Sequence, residues 1–184
     1  MGLSPRLFPW AAGGLLPGRL AMPSARLLNY LQENSVDYDL VRHPSAFAAR
    51  DVAHRSGVAQ AVFAKTVLVK IDRRPAMVVL PADSRIDLTL LQAAAGADEV
   101  ALCTGDECEG KFPDCETGAM PPIGPLYDLP VYVAGSLLRS GRIAFNAGTH
   151  TEIVAMSFAD FRRLVQPRVG HFATRAGVAR QARA

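Results

Sequence analysis

Ala64-Lys65-Thr66-Val67-Leu68-Val69-Lys70 is the stretch on which the fold turns. Its β-branched and aliphatic residues read as a buried strand, yet a lysine stands inside it. The chain has 17 arginines and only three lysines, Lys65, Lys70 and Lys111. A compact, hydrated ammonium is chemically unlike a rigid guanidinium fork. Burying one is costly without an anionic partner, so a ligand phosphate or carboxylate, or a polarised carbonyl, is one explanation for Lys65. A strand-end lysine that snorkels to water is the other. The strand alone leaves both open.

Working outward, Asp72-Arg73-Arg74-Pro75 has hairpin length, so a strand at 62–71 should pair antiparallel with one at 76–80. Upstream, Ser24 can cap a helix with Leu27, Leu28 and Leu31 on one apolar stripe. A short strand at 37–42 leads to His43-Pro44-Ser45, where Pro44 keeps His43 out of helical geometry. A helix at 48–56 stops at Gly57. Downstream, Asp87 caps a helix ended by Gly96, a strand follows at 99–103, and Thr104 to Glu107 form a capping box for a short helix. Strands are expected at 130–134 and 142–146, followed by the polar turn Ala147-Gly148-Thr149-His150. Ser157 and Asp160 open a last helix with Phe158, Phe161 and Leu164 inward.

With 184 residues, 49% of them apolar, the chain can fill one core. No apolar run approaches the roughly 18 residues that cross a bilayer, and a cytoplasmic protein is expected. Residues 1–21 hold Arg6 and Arg19 but no acid, and read as a disordered extension before Met22; residues 169–184 read as a disordered basic tail with Arg175, Arg180 and Arg183. Without these five charges the formal charge falls from +3 to −2, so the body gives no net-charge argument for nucleic-acid binding. Cys103, Cys108 and Cys115 match no common zinc spacing, and reduced thiols are expected. A cysteine nucleophile with His150 or His43 as base is conceivable, but nothing in the sequence brings them together. Nucleophile-elbow, zincin-helix and phosphate-loop motifs are all missing.

The segment 111–130 carries too many prolines and glycines for an ordinary connection. Within it, Gly118 allows close backbone approach while Pro121, Pro122 and Pro125 fix neighbouring φ angles. Such a loop can aim N–H groups at a carbonyl oxygen that gains charge during ester hydrolysis. It reads equally well as a stiffened crossover.

Four anchors in order then carry a family likeness: the strand entering His43-Pro44, Ala64-Lys65-Thr66-Val67, the Gly-x-x-x-Pro loop from Gly118 to Pro122 with Ile123-Gly124, and Asn146-Ala147-Gly148-Thr149-His150 before the Ser-capped helix. Over residues 22–168 the chain resembles the YbaK and prolyl-tRNA-synthetase insertion-domain (ProX-type) superfamily of aminoacyl-tRNA deacylases. The resemblance implies an α+β fold whose central mixed, mostly antiparallel sheet curls toward a barrel with helices outside. It implies trans-editing, the hydrolysis of the ester on a mischarged tRNA, with an aminoacyl-tRNA synthetase as a further partner and with neither cofactor nor metal. Lys65 would orient the terminal nucleotide or aminoacyl group, and the backbone of Gly118 and Ala119 would stabilise the oxyanion. Water or a substrate hydroxyl would attack. His43, Pro121, Pro122, Gly148, Thr149, His150 and Thr151 would line the site, with Phe47 and Met120 limiting its size. A histidine bonded to nearby backbone is the structural alternative for His150. Where the cysteine-specific branch has a tyrosine and an aspartate, this chain has Val41 and Ile153, which favours alanine-, serine- or threonine-like substrates. A non-catalytic module of the same fold, binding an aminoacyl or nucleotide ligand, is the alternative function.

Overall fold

A computed structural model describes residues 24–103, 108 and 110–175. The proposed extension at 1–21, the capping box at 104–107 and the tail arginines Arg180 and Arg183 lie outside the described residues.

The Lys65 segment forms β2 (Ala64–Ile71), antiparallel to β3 (Arg74–Pro81), with Lys65 opposite Leu80. Their connection is tighter than the expected four residues. Asp72 and Arg73 alone make the turn, at φ 48° and 64°, the left-handed pair that matches strand twist in a two-residue hairpin. Asp72 Oδ1 accepts the N–H groups of Asp98 (2.9 Å) and Glu99 (3.0 Å), tying the turn to the approach of β5 (Val100–Leu102) on the other edge of β2. On its far side β3 pairs in parallel with β6 (Val131–Ala134), which pairs in parallel with β9 (Arg168–Gly170). The order β5-β2-β3-β6-β9 gives a mixed sheet buried on both faces.

Parallel neighbours require crossovers. Between β3 and β6 the chain makes β4 (Ser84–Ile86), α3 (Leu88–Ala95), β5 and the proline-rich loop. Between β6 and β9 it makes β7 (Arg142–Asn146), β8 (Glu152–Ser157) and α4 (Phe158–Val165). A second sheet is antiparallel, in the order β1-β8-β7, with β1 spanning Tyr38–Arg42. The sequence pattern places no strand between the 147–150 turn and Ser157, yet β8 is the central strand, because Ile153, Val154, Ala155 and Met156 are buried between two neighbours.

Two further expectations change. No sheet closes among the described residues; instead of one curled sheet there are two main ones, joined by a parallel bridge between Phe63 and Ala144. Nor does order stop at 168: β9 runs to Gly170, and β10 (Ala173–Arg175) pairs with β4. Phe172 explains this, since its fully buried ring packs with Leu80, Leu91 and Tyr132 against the large sheet. Burying such a ring contributes about 1.5–3 kcal/mol, enough to hold a short basic segment in place.

The helices cover the sheets with the expected caps. Ser24 accepts from Leu27 N–H (3.3 Å) at α1 (Ala25–Glu33), Asp87 from Leu90 N–H (3.1 Å) at α3, and Ser157 from Asp160 N–H (3.0 Å) at α4. Between the sheets, Leu27, Leu31, Phe145, Phe161 and Val133 form the main core, while α2 (Ala49–Arg55) buries Val52 and Ala53 with Phe63 and Ile153. No described helix is long and apolar enough to cross a membrane.

The cysteine expectation is also corrected. Cys103 and Cys108 form a disulfide, joining the end of β5 to the start of the proline-rich segment, and only Cys115 is free. The two Cα atoms stand 6.3 Å apart, within the span a disulfide bridges. Thiol titration of the denatured, unreduced protein should therefore give one reactive thiol per chain, rising to three after reduction; three at the outset would contradict the bridge.

Candidate functional site

The site assembles where two chain reversals meet. After β7 the chain turns through Ala147, Gly148, Thr149 and His150 into β8, and the proline-rich loop lies against this corner. Glu116 N–H donates to Gly148 C=O (2.8 Å), Gly148 N–H donates to Ala119 C=O (3.1 Å), and His150 N–H donates to a Glu116 carboxylate oxygen (2.6 Å). Ser24, at the head of α1, braces the same corner: its N–H donates to Ala147 C=O (2.8 Å) and its hydroxyl donates to the Asp114 carboxylate.

Both glycines have positive φ, Gly118 at 85° and Gly148 at 96°. Their surroundings differ. A Cβ on Gly148 would stand 2.9 Å from Ser24 Cβ, whereas one on Gly118 would meet His150 Cε1 at a comfortable 3.8 Å. Gly118 thus faces the imidazole across an open gap, and Gly148 is filled from behind.

The third segment is the exit from β1. His43 N–H donates to Thr151 C=O (2.9 Å), and Ala46 N–H donates to His150 C=O (3.1 Å). Both imidazoles are buried, with one nitrogen each on a backbone carbonyl: His43 Nδ1 on Pro44 (2.9 Å) and His150 Nε2 on Thr117 (2.9 Å). Carbonyls only accept, so these nitrogens carry the hydrogens. His43 Nε2 and His150 Nδ1 are left as buried acceptors without a partner. The resting tautomer of His150 is therefore set by the proline-rich loop, through Thr117 C=O. Burial lowers the pKa of His43, as do Arg55 and His150, against the opposing effect of the Pro44 hydrogen bond.

Of the two loop amides expected to act, the structure treats one differently. Ala119 is fully buried and its N–H is committed to Glu116 C=O (2.9 Å). Gly118 N–H rests on the Met120 thioether (3.2 Å), a weak acceptor that a carbonyl oxygen displaces readily. Pro121 and Pro122 are buried as supports behind the loop. Beside Gly118 opens a cavity of about 450 Å³, lined among others by Thr66, Leu68, Phe112, Glu116, Thr117 and Met120. Met120 is thus a wall of this space. Phe47 is not: its ring is 76% exposed and packs against the His150 ring, centroids 4.5 Å apart.

Lys65 occupies the opposite pleat of β2 from Thr66 and Leu68. Desolvation lowers its pKa, Arg50 and Arg85 lower it further, and Asp83 opposes them. Among the described residues it makes no ion pair. A half-buried ammonium among like charges is a ready counter-ion for an anionic ligand. Three contributors escaped the sequence reading: Thr66, Glu116 and the Ser24–Asp114 pair. Glu116 stands two residues before Gly118, but only its bond to His150 N–H reveals its task. Cys115 is excluded as a nucleophile, since burial pushes its thiol up to about 11 and its neighbour is Tyr127 Oη (3.3 Å) rather than a histidine.

A family model described as "Aminoacyl-tRNA editing domain" matches residues 43–164. The multifunctional Ser/Thr-tRNA deacylase ProXp-y of Escherichia coli strain K12 is 29% identical over 153 residues, covering 80% of this chain and 90% of that protein. Among solved structures, a proposed trans-editing enzyme for prolyl tRNA synthetase superposes with TM-score 0.71 at 18% identity, covering 86% of this chain and all of that one. A scaffold from computational epitope grafting superposes with TM-score 0.73, also at 18% identity and with the same coverage. The structural likenesses bear on fold alone.

Two stability predictions follow from the corner. Gly118→Ala should cost about 1–2 kcal/mol through its left-handed φ, and Gly148→Ala more, because its methyl group also meets Ser24; urea midpoints rank them. His43 gives a pH signature. Its folded pKa lies below the usual value of about 6.5, so the unfolded chain takes up the proton first. The stabilisation is complete above that value and disappears as pH falls through the folded pKa. Unfolding at about pH 7.5 and about pH 5.5 should show less acid destabilisation in His43→Gln than in the parent.

Proposed function

The chain belongs to the aminoacyl-tRNA editing domain family, and from that premise we propose that it clears mischarged tRNA in trans, hydrolysing the ester of a small amino acid of the serine, threonine or alanine kind. The observation that carries this reading is the Gly118 amide, on the wall of a cavity and with only a thioether to release.

When the ester carbonyl replaces the Met120 sulfur, Gly118 N–H meets an oxygen whose charge grows on attack. A preorganised donor of this sort is worth a few kcal/mol of barrier. The loop needs no rearrangement to offer it, because Glu116, Ala119 and Gly148 already hold one another. The attacking group is water or a ribose hydroxyl, so no side-chain nucleophile is required. Lys65 supplies positive charge to the nucleotide or the aminoacyl group. The two uncommitted imidazole nitrogens supply acceptors for the hydroxyl hydrogen or the α-ammonium group.

The cavity wall supports a small, hydroxyl-tolerant substrate. Thr66, Glu116 and Thr117 add polar atoms to an otherwise apolar lining. Val41 and Ile153 are cross-strand partners within the α2 cluster, so these positions offer neither a hydroxyl nor a carboxylate. The serine and threonine activity of the Escherichia coli relative agrees with this choice. Action in trans beside an aminoacyl-tRNA synthetase is part of the same proposal.

Deacylation of a panel of tRNAs carrying serine, threonine, alanine or cysteine tests it. The parent protein should outpace buffer on the first three. Loss of one charge-assisted interaction in Lys65→Ala should lower kcat/KM about 10- to 100-fold with the fold intact. Full activity in that variant removes Lys65 from the mechanism, and buffer rates for the parent remove the activity.

A further inference from the structure

The most exposed large apolar side chain of the described residues is Phe47, and it sits at the site rather than on a remote surface. One edge of its ring is committed to His150, and through His150 Nε2 to Thr117 beside the catalytic glycine. The rest is open to solvent.

The chain that follows it leads to a cluster of cations. Arg50 follows three residues later in α2 and reaches Asp83 C=O (3.4 Å). Arg85 of β4 and Arg50 both act on Lys65. Arg175, one position along the β4–β10 ladder, pairs loosely with the Asp83 carboxylate (3.7 Å). Asp83 is the acid that opposes them at Lys65, so four cations gather around it and the patch is positive in a body whose net charge is not. An exposed ring beside a cluster of cations is the composition that binds single-stranded nucleic acid, with bases stacking on the ring and phosphates on the charges.

We propose that Phe47 is the stacking platform for the terminal base of the unpaired tRNA 3′ end, and that Arg50, Arg85 and Arg175 hold the phosphates that precede it. The inference rests on the editing function proposed above and adds how the nucleic acid is gripped. It also moves Phe47 from a wall of the amino-acid pocket to the outside of the site. A base stacked on Phe47 brings its ribose to the His150 gap, so one contact fixes both the strand and the ester. Phe47 is a positioning residue here, and Arg85 and Arg175 join the site through the β4–β10 ladder, beyond the expected end of the domain at 168.

The test uses the full chain and a short single-stranded RNA ending in CCA, with 2-aminopurine replacing the terminal adenine. Stacking should quench its fluorescence. Phe47→Ala should abolish the quench and weaken binding about tenfold, Phe47→Trp should restore both, and Phe47→Leu should not. Arg85→Ala and Arg175→Ala should keep the quench at saturation but weaken binding, each lowering the salt slope by about 0.7. With mischarged tRNA, the loss in Phe47→Ala should be carried by KM. Because the ring is exposed, thermal unfolding should not change. Undiminished quench and KM in Phe47→Ala overturn the platform while the editing function stands. Quenching by the parent without any deacylation has the reverse meaning: the platform holds and the editing proposal fails.

Discussion

The hydrogen bonds between residues 116–119 and the 148–150 corner are the constraint on which the site depends. Three short bonds join segments about thirty residues apart, and each uses a group that the local chain cannot otherwise satisfy: the Glu116 amide, the Gly148 amide and the His150 amide. Buried backbone groups must find partners, so the proline-rich loop and the β7–β8 corner specify each other. Loop closure of this length is entropically costly, and the prolines reduce that cost by restricting the unfolded loop as well. What remains free after the pairing is the part that can act. The Gly118 amide, held only by a thioether, and one nitrogen on each imidazole remain available after this pairing, together with buried oxygens of Thr66, Asp114 and Asn146.

The electrostatics divide the site in two. The inner half holds the buried His43 and His150 and the mostly apolar cavity beside Gly118, with the Glu116 carboxylate on His150 N–H, and an enclosed setting is where a fixed dipole acts most strongly on a developing charge. The outer half is cationic, with Lys65, Arg50, Arg85 and Arg175 around Asp83. An aminoacylated RNA end has the matching polarity, a small aminoacyl ester at the tip of a polyanion. Phe47 stands between the halves with its ring on His150.

Much of this architecture is legible along the chain. The caps at Ser24, Asp87 and Ser157, the hairpin after the Lys65 strand and the end of α3 at Gly96 are local events, decided by side chains within a few residues of the backbone they satisfy. The misreadings are non-local. β8 looks like loop until β1 and β7 flank it, and the 169–175 segment looks like a basic tail until Phe172 finds Leu91 and β4 offers an edge. Cys103 and Cys108 look like ordinary reduced thiols until the fold sets their Cα atoms 6.3 Å apart.

At the site the division is the same. From sequence alone came the candidate residue types: a lysine in a strand, a glycine in a stiffened loop, one histidine before Pro44 and another after Gly148, because these depend on side-chain identity and backbone freedom. Tertiary structure alone decided which of them are available. It spends the Ala119 amide on Glu116 and leaves that of Gly118, fixes the tautomer of His150 through Thr117, sets Lys65 on the opposite pleat from Thr66 and Leu68, and turns Phe47 outward. Hydrogen-bond capacity is finite and strand faces alternate, so availability emerges only when every competing partner has been brought into place.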